Sequence, residues 1–241
     1  MHYPDSPNGN PHLGIDDNKP PPREPIFNRM PIGVAVLIGV ILSTHIILLL
    51  AGPIVAQQAH VAFGVVPLRT LSDISNAHYM SGVTPLVAHI FMHGGTLHLV
   101  MNLAMLLQAG PIAEMGFGRN RASIARFIAF FLLCGAFGGL AYCWINPQST
   151  IPTIGASGAI SGVFAGFLWA AIGLAKPGQE MLRSVLTSAV VFLLINVGLA
   201  WIGRALNFVP IAWESHLGGF LAGLILYPLI ARMGQSKKSR A

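Results

Sequence analysis

Charge is scarce in this chain. Only 9% of its 241 residues are Asp, Glu, Lys or Arg, where soluble domains carry about a quarter. So few ions cannot clothe a water-facing surface, and 54% of the residues are hydrophobic. A soluble globular domain is excluded, and the long apolar runs read as one polytopic membrane domain. Cysteine is also sparse. Cys134 and Cys143 lie on one apolar stretch, and as helix residues they fall on opposite faces, about 13 Å apart along the axis. They cannot bridge each other, so no disulfide framework is implied, and they say nothing of redox compartment. Acidic residues are rarer than basic ones, 8 against 14, for a net charge of +6. A nucleic-acid partner is excluded all the same, because the basic residues flank apolar runs instead of forming one patch.

Residues 1–30 are polar, with the run "KPPPREP" at Lys19 to Pro25. They cannot bury a core and are expected to be a disordered cytoplasmic tail. They do not read as a signal peptide, since the apolar run that follows comes late and is too long for one. The membrane domain is expected over residues 31–232, ahead of a basic tail at 233–241. Six spans are expected, at about 31–55, 96–112, 125–145, 154–174, 185–202 and 213–230. Several are short for lipid, which points to a thinned bilayer or tilted, shielded helices.

The basic residues set the orientation. Lys19, Arg23 and Arg29 precede the first span; Arg119, Arg121 and Arg126 lie between the second and third. Lys176 and Arg183 lie between the fourth and fifth, and Arg232, Lys237, Lys238 and Arg240 end the chain. With six crossings all of these share one side, and only Arg69 and Arg204 fall on the other. Both termini are therefore expected in the cytoplasm. The connection over 56–95 is long and semi-apolar, and loops of that length carry a role; short helices in or near the interface are expected there. Trp144, Trp201 and Trp213 fall at outer span ends, as an aromatic belt requires.

Polar groups inside an apolar frame are costly and are candidates for function. They gather in "HIFMHGGTLHLVMN" (His89, His93, His98, Asn102), "GASGAISG" (Ser157, Ser161), "ESHLGGFLAG" (His216) and at Glu114. His98 and Asn102 are one helical turn apart, about 6 Å along the axis. Gly94 and Gly95 break any preceding helix, and Thr96 is the expected N-cap of the second span. Spans two, four and six all start outside, so His98, Asn102, Ser157 and His216 share a shallow depth below the outer face. Gly158, Gly162 and Gly166 make a small-residue stripe on the fourth span, and Gly219 and Gly223 make another on the sixth. Packing the two stripes brings Ser157 beside His216. A neutral imidazole can take the proton of a serine hydroxyl, and a helix start offers free backbone N–H groups to an oxyanion. His98 and Asn102 add side-chain donors. These are the parts of an acyl-transfer site, with water supplied from outside. No carboxylate is placed as a third member, because Glu214 is off the helix face of His216. A Ser–His dyad is the reading, slower than a full triad.

With these residues in view, the chain resembles the rhomboid family of intramembrane serine proteases over residues 33–232. Gly155 to Gly158 match its G-x-S-G nucleophile motif. His216 to Gly223 match H-x-x-G-x-x-x-G, with Gly219 and Gly223 as its glycines. His93, His98 and Asn102 match H-x4-H-x3-N, and Gly110 and Glu114 fit its motif at the end of the second span. The resemblance implies an all-α, six-transmembrane-helix bundle with a long, partly membrane-inserted first loop. It implies Ser157 as nucleophile and His216 as general base. An oxyanion hole would be made by His98, Asn102 and the Ser157 backbone. Supporting positions are His93, Gly155, Gly158, Gly219, Gly223 and Glu114. It also implies a movable gate and cap made of the fifth span and residues 205–210. In one departure, Ser161 stands where some relatives carry an aromatic residue that packs on the base, so the resemblance does not say what holds His216.

The resemblance further implies single-span membrane proteins as substrates, cut near the outer edge of their helix. Lipid is the other partner, no cofactor or metal is expected, and the oligomeric state is not readable. An inner (plasma) membrane location is expected, because the polar tail lacks an Arg-rich presequence. Plainer readings attach to other residues. Ser161 shares the helix face of Ser157 and is the alternative nucleophile, but is expected to back-bond to a carbonyl. His89 and His93, four apart, either form a metal pair or, as expected, hold the loop through hydrogen bonds. His45 is expected to be a satisfied packing residue, His60 and His78 loop residues, and Glu114 a loop anchor. Among rival functions, a membrane metalloprotease lacks H-E-x-x-H. A haem carrier has no need of Gly-x-Ser-Gly. A transporter would show an internal repeat and polar groups at the midplane. A catalytically dead, chaperone-like relative is the rival hardest to exclude, and the presence of both Ser157 and His216 argues against it.

Overall fold

The computed structural model describes residues 30–118, 120–175, 178–205 and 212–235. Arg119 and Lys176 of the orientation reading, the expected tail over 1–30 except Met30, residues 206–210 of the expected cap, and residues 236–241 lie outside them. Nine α-helices are found among the described residues: α1 Ile32–Ala51, α2 Pro53–Phe63, α3 Pro67–Ser75, α4 Tyr79–Ala88, α5 Thr96–Met115, α6 Arg121–Ile145, α7 Ser157–Ala175, α8 Gln179–Ala205 and α9 Trp213–Gln235. Within those residues, α1, α5, α6, α8 and α9 are long and apolar enough to cross a membrane, and α7 is apolar but shorter in the stretch that qualifies. Large side chains such as Leu50, Ile54, Leu194, Ile195 and Ile225 stand exposed on the helices. In water such surface would aggregate, whereas lipid covers it at no cost. The chain is a helical membrane protein.

The helices differ from their expected limits for local reasons. The sequence predicts a first span to residue 55, but α1 stops at Ala51. Gly52 turns the chain at φ 92° and Pro53 begins α2, a proline being suited to a helix's first position. The second span's helix starts at Thr96 as expected, but its N-cap is Gly95 and no side chain caps it. It runs past Pro111 to Met115, and its last turn is held from outside. The carboxylate of Glu114 accepts from the backbone N–H of Gly33 (3.0 Å) and Val34 (2.8 Å). Those are free donors of the α1 N-terminus, where a negative charge is favoured. Glu114 therefore caps α1 and does not anchor a loop. Gly110, one turn earlier, leaves room for Val34, whose Cγ2 would lie 2.8 Å from an added Cβ. α6 begins four residues before its expected start because Asn120 caps it, its Oδ1 accepting from Ser123 N at 3.0 Å.

The connection after α1 folds into α2, α3, α4 and a 3-10 turn at His89–Phe91. Arg69, the basic residue expected on the outer side, donates to the carbonyls of Val61 (2.7 Å), Ala62 (3.3 Å) and Gly64 (2.8 Å). It satisfies the end of α2, which lacks partners of its own. Val65 and Thr153 pair as an antiparallel bridge, with N···O distances of 3.1 and 2.9 Å. That bridge fastens the loop to the segment leading into α7, and explains why α7 starts at Ser157 and not at residue 154.

At the centre, α6, α7 and α9 pack backbone to backbone. A Cβ on Gly138 of α6 would lie 2.7 Å from the Ser215 carbonyl oxygen, and one on Gly218 of α9 2.7 Å from that of Phe137. Gly158 and Gly162 of α7 face Gly219 and Gly223 of α9. Small residues are what allow such close approach in lipid, where helices associate through packing and not through exclusion of water.

Candidate active site

The starts of α5, α7 and α9 meet at one end of this core. α7 has Ser157 as its first residue, α9 has His216 in its first turn, and α5 has His98 and Asn102 in its first two turns. The turn before Ser157 requires glycine on two counts. Gly155 has φ +120°, a conformation that side chains disfavour, and an added Cβ would lie 2.7 Å from Cε1 and 2.8 Å from Nε2 of His98. The imidazole of His98 thus rests on the backbone just before Ser157. Its position is fixed from the loop as well, since Gly155 N donates to the His89 carbonyl at 2.9 Å.

On the other side of Ser157, an added Cβ on Gly158 would lie 2.7 Å from Ser215 Oγ and 3.1 Å from the Ser215 carbonyl. Ser215 precedes His216. Ser157 is therefore bracketed by a glycine against His98 and a glycine against the residue next to His216. Its side chain is half-buried, as is that of His216. No hydrogen bond joins Ser157 Oγ to His216 among those of the described residues. His216 instead pairs through Nδ1 with Asn196 Oδ1 at 2.9 Å, so Nε2 is the nitrogen left for a serine proton. Ser161 is buried and donates its hydroxyl to the Ser157 carbonyl at 2.8 Å, which occupies it as a packing serine. Asn102 is buried and donates one N–H to the His98 carbonyl at 2.9 Å, which leaves its second N–H free.

The backbone N–H of Ser157 is the first of α7 and has no acceptor one turn back. The ring of His98 lies against Gly155, two residues before Ser157, and Asn102 stands one turn further along α5. A free N–H at a helix start beside a hydroxyl is a donor that an oxyanion can use. No group of three or more His, Cys, Asp or Glu side chains that could hold a metal is found among the described residues. A cavity of about 780 Å³ opens between α7 and α8 around Ala171, Glu180, Arg183 and Thr187. It lies towards the other end of α7 and has no part in the site.

The loop histidines support the site from below. His89 is fully buried, and its Nδ1–H donates to the Pro85 carbonyl at 2.9 Å. His93 is buried, neither ring nitrogen has a hydrogen-bond partner among the described residues, and its ring lies 5.1 Å from that of His98. Burial pushes both down to about 4, and for His93 the neighbouring His98 adds to the effect. Both are neutral at pH 7. The opened loop takes up protons from about pH 6.5 downwards, while the closed loop resists until about pH 4. Stability of this segment is therefore full above pH 6.5 and is lost progressively as the pH falls through that window. Hydrogen exchange of the amides over 89–98, followed from pH 7.5 to 4.5 in bilayers, is expected to accelerate only below pH 6.5 after correction for intrinsic rates. A flat corrected profile would contradict it. His45, expected to be satisfied, has Nε2 buried without a partner.

The residue that sequence reasoning missed is Asn196. It sits in "VVFLLINVGLAW", the only amide in an otherwise apolar run, and the cost of an intramembrane polar group was the signal that marks it.

Comparison with known proteins gives a consistent answer. The family model described as the Rhomboid domain matches residues 81–233. The chain is 29% identical over 141 residues to RHOMBOID-like protein 5 of Arabidopsis thaliana, covering 58% of this chain and 42% of that protein. It is 28% identical over 200 residues to Rhomboid protease GluP of Bacillus subtilis, covering 83% of this chain and 34% of that protein. It is 26% identical over 154 residues to Putative rhomboid protease YdcA of Bacillus subtilis, covering 64% and 68%. In the first two matches the chain spans 42% and 34% of the relative's length.

Proposed function

The chain belongs to the Rhomboid family, and from that premise we propose that it is an intramembrane serine endopeptidase. The observation that carries the proposal is the bracketing of Ser157 between Gly155, under the His98 ring, and Gly158, against Ser215. Those close contacts bring the His98 ring and Ser215, the neighbour of His216, to the two sides of Ser157, which supports the reading of Ser157 as nucleophile and His216 as base.

In the reaction, Ser157 Oγ attacks a substrate peptide carbonyl while its proton passes to His216 Nε2. The carbonyl oxygen becomes an oxyanion that accepts from the Ser157 backbone N–H, Asn102 and His98. Collapse of the tetrahedral intermediate breaks the C–N bond, and the leaving amine takes the proton from His216. A water molecule then attacks the Ser157 ester, gives its proton to His216, and the acid leaves as Oγ regains that proton. No step needs a cofactor. Among the described residues no hydrogen bond holds the Ser157 hydroxyl, so the reading requires its side chain to turn towards His216 Nε2.

The finer reading has six crossings, with α7 as the fourth, and a loop of α2 to α4 set partly in the membrane. Both termini lie in the cytoplasm and the site opens outwards. Residues 1–30 and 233–241 are cytoplasmic tails, the membrane is the plasma membrane, and the substrates are single-span membrane proteins. The basic residues that share one side support this orientation. The test is a purified chain in proteoliposomes with a single-span reporter, its products weighed by mass spectrometry. A cut inside or at the outer edge of the reporter's span is expected. An intact reporter, or cuts confined to its water-soluble parts, would sink the proposal.

A further inference from the structure

α8 carries a polar device that the acyl-transfer reading does not use. Asn196 Nδ2 donates to the Phe192 carbonyl at 2.9 Å, and Asn196 Oδ1 meets His216 Nδ1 at 2.9 Å. The first bond fixes the amide. With its NH2 committed to a carbonyl, which can only accept, the oxygen must face the imidazole. An amide oxygen accepts only, so His216 must carry its proton on Nδ1. Nε2 is then left with a lone pair, the state that can take a proton from a hydroxyl.

The packing one turn away holds this geometry. Phe192 precedes Asn196 by one turn and Phe220 follows His216 by one turn; their rings stack at 4.3 Å and 18°. Phe164 of α7 stacks on the other side of Phe192 at 5.0 Å and 27°. Phe220 is fully buried in a cluster with Ala165, Leu168 and Ala189. The aromatic stack sets the register between α8 and α9, and that register places the amide opposite the imidazole.

We infer that Asn196 is the positioning residue for the general base, fixing the tautomer and ring orientation of His216 from α8 in the role a carboxylate fills in a full triad. The inference rests on the reading of His216 as the base. It also answers what holds His216 where Ser161 replaces an aromatic residue. α8 also packs on the core through Val185, Ala189 and Leu193.

The test uses the full chain in bilayers and the reporter assay. Asn196→Leu keeps the volume and removes the acceptor. It is expected to lower kcat about tenfold with KM unchanged, the scale of removing one hydrogen bond beside a reacting group. Asn196→Asp, charged or neutral, still presents an acceptor oxygen and is expected to recover most of kcat. Nitrogen NMR of 15N-histidine-labelled protein, with His216 identified by its loss in His216→Ala, is expected to show an unprotonated Nε2 in the parent chain. In Asn196→Leu a mixture of tautomers is expected. Wild-type kcat in Asn196→Leu, equal damage by Leu and Asp, or an unchanged tautomer would each overturn the inference while leaving the protease reading intact. Full activity of His216→Ala would overturn both.

Discussion

Ser157→Ala and His216→Ala are each expected to lower turnover of a single-span reporter by about 10⁴-fold or more, and the double variant to do no further harm. A nucleophile and its base act as one unit, so the second deletion removes something already useless. The flanking geometry predicts that neither change unfolds the chain; Ser157→Ala costs little, and His216→Ala loses only its bond to Asn196 Oδ1. Both side chains are half-buried, and the close contacts at this point are made by Gly155, Gly158 and Ser215. The check is kcat for the four proteins beside their thermal midpoints. Additive losses would mean that the two residues act in separate steps or separate sites. A fall in thermal midpoint matching the loss of activity would mean that Ser157 is a packing residue and no more.

Gly158→Val is expected to damage both stability and catalysis. A Cβ there meets Ser215 Oγ at 2.7 Å and its carbonyl at 3.1 Å, and a β-branched side chain adds two carbons to the same gap. α7 and α9 must part to admit it. Overpacking of this kind costs about 1–3 kcal/mol, and the separation also carries Ser157 away from His216, where about 1 Å of misplacement can cost about a hundredfold in rate. Gly39→Val in α1 is the matched control, since Gly39 is exposed and nothing lies within 4 Å of its added Cβ, and it is expected to leave catalysis unchanged and stability nearly so. Thermal unfolding and reporter cleavage measured on the same preparations decide the matter. Equal behaviour of the two variants would remove the glycine contact from the account.

The sequence exposed the parts of this protein that lipid penalises. Apolar runs long enough to span were visible because water would not tolerate them. The histidines, serines and Glu114 were visible because hydrocarbon would not. Gly158 and Gly219 were legible as packing residues for the same reason, their spacing being a helix face. The loop over 56–95 was legible only as a length with mixed polarity. α2, α3 and α4 are short and depend on distant partners, such as the Arg69 contacts at the end of α2 and the Val65–Thr153 bridge. The end of α1 was written in Gly52 and Pro53, a pair that stops a helix, yet the continuing hydrophobicity outweighed it. Asn196 was hidden differently. It stands alone in its span, and its role depends on the register of α8 against α9, which is set by stacked phenylalanines and by nothing in its own neighbourhood.

The central claim is that Ser157 is a nucleophile switched on by His216. It is tested most directly by peptide mass mapping of the full chain after reaction with a fluorophosphonate in bilayers. The account predicts a single adduct on Ser157 that disappears in His216→Ala. An adduct on Ser161 or another serine, or labelling of Ser157 that persists at the same rate without His216, would contradict it.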